Sequence, residues 1–130
     1  MILIIILAAA TLAWVAGSLW YMSLARPWTR VSGIKVDNTG APENKSPLPY
    51  LMSGLCLFVV ASLMHYIFAR AGIDTLGAGL LHGAMIGAGF VVPWTVLHNT
   101  YVQRPFLLTL IDGGYAVLAC ALMGTVLGAL

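Results

Sequence analysis

Asp112 stands inside an otherwise apolar run, Phe106 to Ala129, about a turn and a half from its start. A carboxylate in such surroundings costs several kcal/mol unless it is paired or wetted, so an acid at this position is by default a candidate ion, proton or substrate site. The plainer alternative is a carboxylate that caps or hydrogen-bonds a neighbouring helix near its end. Partners of matching depth are His98 and Asn99 at the end of the third apolar run, and Tyr21 or Trp20 at the end of the first. Asp112, His98, Asn99 and Tyr21 therefore form the candidate polar site.

His65 and His82 make a second pair, at similar distances from the turn near Gly72 and hence at similar depth on antiparallel segments. Two imidazoles facing one another across a helical bundle are the arrangement a b-type haem takes, and imidazole also suits zinc or copper. Only Asp74 and Met64 stand near as further ligands, and histidines in such segments more often hydrogen-bond an adjacent helix. No cofactor and no metal are expected on this pattern. Cys56 and Cys120 lie in apolar runs without C-x-x-C spacing, which excludes zinc-site and redox motifs. Neither a nucleophile–base pair, an H-E-x-x-H, a phosphate-cradling glycine loop nor paired carboxylates occur. With Asp37, Glu43, Asp74 and Asp112 as the only acids, no enzyme is expected.

The elements that must position these residues follow from composition. Only 8% of the 130 residues are charged and 61% are hydrophobic, too few charges to solvate a soluble surface. A bilayer core of about 30 Å takes about 20 apolar residues in a helix. Segments of that length run over 2–24, 50–69, 76–97 and 106–129. They are continuous rather than alternating, which favours helices over strands. The expectation is an all-α, integral membrane bundle of four transmembrane helices in a single domain, with the lipid bilayer as its first partner. Met1 leads directly into Ile2–Leu7 without a basic region or a clean cleavage site, so the first segment reads as a retained helix rather than a signal peptide.

Residues 25–49 read as a polar loop. Its opening, Arg26-Pro27-Trp28-Thr29-Arg30, mixes basic and aromatic types as interfacial segments do, whereas residues 31–47 carry no pattern that fixes their order. Arg26, Arg30, Lys35, Lys45 and Arg104 fall in the first and third connections, against Arg70 alone in the second. The positive-inside rule then places the long loop in the cytoplasm and both termini outside. A net charge of +2 without a basic run excludes nucleic acid.

Gly79, Gly83 and Gly87 repeat at four-residue spacing, as do Ala116, Cys120, Gly124 and Gly128, with Ala9, Ala13 and Gly17 in the first segment. Such stripes let helix backbones touch, either within one chain or across a homo-oligomer interface. Asp112 heads the stripe of the fourth segment. Pro93 predicts a kink in the third, and Trp20, Tyr21, Trp28, Trp94 and Tyr101 form an aromatic belt at the cytoplasmic boundary.

The order Trp20-Tyr21, Trp28, Gly33, Asn99, Arg104, Ile111-Asp112-Gly113-Gly114-Tyr115 and Met123-Gly124 resembles the domain of unknown function 1761 family of small bacterial four-helix membrane proteins. The sequence departs from that pattern at Met22–Pro27, where the resemblance implies a proline and a phenylalanine-glycine pair. What the resemblance implies is a single-domain bundle in a bacterial inner membrane; it brings no activity. The function expected first is a non-enzymatic bundle acting as a homo-oligomer or as an accessory subunit of another membrane protein. The alternative is a small ion or solute channel or transporter using Asp112, and a haem or metal protein using His65 and His82 comes last.

Overall fold

The computed structural model describes all of residues 1–130, and every regular element in it is helical. Helix α1 spans Ile2–Ser23, α2 Ala25–Ser32, α3 Leu48–Ala71, α4 Leu76–Ile86, α5 Val92–Tyr101 and α6 Phe106–Ala129. A π-helical turn, Gly87–Val91, joins α4 to α5 in one run from Leu76 to Tyr101. That run, α1, α3 and α6 are the four helices long and apolar enough to cross a membrane.

Two expectations need correction. Residues 25–32 are not loop but the short helix α2, which carries Pro27 in its first turn, where a missing N–H breaks no helical hydrogen bond. Val31 on its inner face is buried, so a short amphipathic helix lies where charge and proline content alone suggested a loop. The third span does not end at 97 but continues to Tyr101, and its irregularity lies just ahead of Pro93, as the π-turn. Proline cannot donate to the preceding turn and its ring crowds the carbonyl four residues back, and a wider turn relieves both.

The helices are arranged around α6, which packs on α4, α1 and α5 and more lightly on α3, while α1 also packs along α3. Although a short turn joins α3 to α4, the two share no packed seam. Small residues allow the closest approach. A Cβ built on Gly79 or Gly83 would collide with the carbonyl oxygens of Gly124 and Cys120 respectively, and one on Gly124 with that of Gly79. Between α1, α3 and α6 the centre is filled by Ala9, Ala13, Ala61, Met64, Ala119 and Met123, all essentially inaccessible. Apolar chains have no hydrophobic drive to associate inside lipid, so contacts of this closeness, backbone on backbone, are what holds such helices together.

The seam advances by four residues from Gly79 to Gly83 to Gly87, then by five. Gly113 of α6 meets Val92, and Thr109 accepts a hydrogen bond from Asn99 Nδ2 at 3.1 Å. In an unbroken α-helix those places would fall to Val91 and His98; the extra residue of the π-turn moves the facing positions on by one.

Candidate functional site

The Asp112 carboxylate accepts a hydrogen bond from the Tyr21 hydroxyl at 2.7 Å, joining α6 to the end of α1. Trp28 of α2 is a second polar neighbour of the carboxylate. Its ring meets that of Tyr21 edge-on at 5.9 Å, and Tyr115 also meets Tyr21 edge-on, at 5.5 Å. Tyr115 in turn donates to the Ala13 carbonyl at 2.7 Å and lies flat on Gly17, where a Cβ would be 2.6 Å from its hydroxyl. Two rings from two helices thus reach one half-buried carboxylate, and Tyr115 of a third supports Tyr21.

Trp20, the other aromatic candidate, turns away from Asp112. Its indole donates to the Ile111 carbonyl at 3.0 Å and covers Gly114, whose lack of a side chain makes room for it. Asn99 is held by Thr109, as above. His98 is not brought to Asp112: it is exposed and stacks on Trp94 with ring centroids 5.6 Å apart. The π-turn is the reason, because it gives His98's place in the seam to Asn99. Nor does Asp112 continue the α6 stripe. A strict four-residue repeat turns about 40° around an α-helix at each step. Gly128, Gly124 and Cys120 therefore face α4, whereas Asp112 has rotated toward α1 and α2.

His65 and His82 do not face one another, because α3 and α4 lie on different sides of α6. His82 Nδ1 is 2.8 Å from the Ala78 carbonyl of its own helix. His65 lines a small cavity of about 190 Å³ with Asp74, Phe68 and the end of α6. No group of three or more potential metal ligands comes together anywhere.

Arg104, just before α6, lies across Gly33, the residue that closes α2. Gly33 has φ +78°, and a Cβ there would fall on the guanidinium. The Arg104 N–H itself bonds the Asn99 carbonyl at 2.9 Å. Tyr21, Trp20, Trp28, Gly33, Asn99, Arg104, Asp112, Gly114 and Tyr115 accordingly belong to one end of the molecule, joined by direct contacts or through a single neighbour.

Beside this cluster is a larger, partly enclosed cavity of about 990 Å³, and Tyr21 and Trp28 form part of its wall. The first connection and the start of α3 complete it, with Ile34, Lys35, Pro42, Glu43, Pro49 and Tyr50 among its lining residues. Residues 33–47, whose order the sequence left open, form a compact turn. Asp37 Oδ1 accepts from the Thr39 hydroxyl at 2.6 Å, the Thr39 N–H at 2.9 Å and the Ala41 N–H at 3.1 Å. Lys45 lies 3.6 Å from its other oxygen. The Thr39 hydroxyl foremost, helped by those amides and by Lys45, holds the Asp37 carboxyl at about 2, below the usual carboxylate range. Tyr50 is fixed to α1, its carbonyl accepting from Trp14 Nε1 at 3.2 Å and its hydroxyl 3.0 Å from Ser18 Oγ.

Sequence reasoning paired Asp112 with Tyr21, which are joined, and offered Asn99, which bonds Thr109 instead; it missed Trp28 as a neighbour of Asp112, and Tyr50 and Trp14 altogether. A signal for Trp28 was present, since it sits four residues after Leu24 in a segment with an apolar side. For Tyr50 there was none, because it precedes an apolar run like any interfacial aromatic.

A family model described as protein of unknown function (DUF1761), the family that the motifs resemble, matches residues 4–128. No curated protein and no solved structure matches the chain.

Proposed function

The chain belongs to the DUF1761 family of proteins of unknown function, and from that premise we propose that it is a non-enzymatic, multi-pass protein of a bacterial inner membrane that binds a small amphiphilic ligand beneath its first connection. Both termini lie outside the cytoplasm in this reading, with Arg26, Arg30, Lys35, Lys45 and Arg104 at the inner end. A single observation carries it: Tyr21 is at once a wall of the 990 Å³ cavity and the partner of Asp112. A ligand in the cavity therefore presses on the joint that ties α1 to α6. Cavities of this size, mostly apolar with a few placed polar groups, are typical of ligand sites.

The seams that motivated a homo-oligomer are occupied within one chain, Gly79, Gly83 and Gly87 lying on α6. Transport by a single copy has little support, because the packed core around Met123, Ala9, Ala13 and Ala61 separates the large cavity from the small one at the opposite end.

The test is native mass spectrometry of protein extracted from its own membranes in mild detergent. A discrete, stoichiometric small-molecule adduct is expected, and Ile34→Trp, which fills the cavity from the loop side, removes it without altering the helical circular dichroism. A bare wild-type mass, or an adduct indifferent to Ile34→Trp, overturns the reading.

A further inference from the structure

We infer that the ligand of this cavity is a zwitterionic phospholipid, held by its headgroup, an assignment that rests on the binding reading above. Two residues of opposite charge line the cavity, Lys35 and Glu43. They are neighbours across the turn, the Glu43 N–H donating to the Lys35 carbonyl at 3.0 Å, yet their side chains form no ion pair; the only one in the molecule joins Lys45 to Asp37. A cation and an anion on adjoining, exposed positions of one cavity wall, neither paired within the chain, match a headgroup that carries both signs.

The aromatic wall assigns the orientation. Tyr21, Trp28 and Tyr50 give the space an aromatic wall, and an ammonium is attracted to aromatic rings as well as to the Glu43 carboxylate. Lys35 is then left for the phosphate, which it meets as a compact charge. The cavity exceeds what a headgroup needs, and Ile34, Pro42 and Pro49 supply apolar surface for the glycerol and the first methylenes. Its position at the ends of α1 and α3, among the aromatics of the predicted interface, is the depth at which a lipid presents its headgroup. A soluble zwitterion would have no use for that apolar part.

The experiment uses the full chain, delipidated in mild detergent, and measures by native mass spectrometry the retention of phosphatidylethanolamine, of phosphatidylglycerol and of water-soluble phosphoethanolamine. Phosphatidylethanolamine is expected to bind best, and Lys35→Gln and Glu43→Gln each to weaken it by up to about fivefold, the upper size of an exposed charge contact. Glu43→Gln also narrows the preference over phosphatidylglycerol. Equal retention of the two lipids, unmoved by either variant, overturns the assignment, as does phosphoethanolamine binding as tightly as the lipid. Ile34→Trp separates the two levels. If it abolishes retention of every amphiphile while the charge variants do nothing, the cavity still binds and only the headgroup assignment falls; if it changes nothing, both readings fall.

Discussion

The Tyr21–Asp112 hydrogen bond is a partly buried link between the first and the last helix, 91 residues apart in sequence. Removing one partner leaves the other without its bond, at a cost of about 1–3 kcal/mol, whereas removing both leaves nothing stranded. Thermal unfolding in detergent is expected to rank Tyr21→Phe and Asp112→Ala as individually destabilising and the double variant as less destabilising than their sum. Strict additivity would mean that the bond contributes nothing. Asp37 makes a different prediction, because its ionised form is favoured by the folded turn. Its pKa is depressed, so its contribution is complete above the ordinary carboxylate range and is lost as pH falls through about 2. The amide resonances of Thr39 and Ala41 should titrate there in nuclear magnetic resonance spectra, and Asp37→Asn should abolish that titration.

Helices α4, α5 and α6 show what a four-residue glycine repeat does when it meets an extra residue. At Gly83 and Gly124 the atoms in the way of a Cβ are backbone, which cannot rotate aside. Gly83→Ala and Gly124→Ala are therefore each expected to force the helices apart and to destabilise by about 1–3 kcal/mol. Gly89, within the π-turn, has open space where its side chain would be, so Gly89→Ala should be tolerated. Deleting Gly89 should not: it restores the α-helical register, rotates α5 by about 100° and takes Asn99 away from Thr109. A deletion variant as stable as the parent would show that the π-turn sets no register. The same turn explains the limits of the sequence reading. Span positions were legible because apolar run length and helical rise fix them, and Asp112 with Tyr21 was legible because polar residues at equal depth seek one another. His98 was misplaced because periodicity cannot register one inserted residue, and α2 was missed because eight residues are too few to declare a period.

At the scale of the whole molecule, the site is built from parts far apart in the chain. Its carboxylate comes from α6, its phenol from α1, its indole from α2 and its cavity roof from the first connection. Opposite-end residues Arg70, Asp74 and His65 take no part in it. Because α6 packs on α1, α4 and α5 while α3 and α4 share no seam, the order of synthesis acquires a meaning. When the first three spans have left the ribosome, α1 and α3 already have each other, but the glycine face of α4 has nothing to lie against. Crosslinks between α1 and α3 should form on nascent chains stalled before Phe106, and those between α4 and α6 only once α6 has emerged. Until α6 arrives, the bundle is an unfinished pair of halves, and that interval is when a chaperone or a protease has its chance to act.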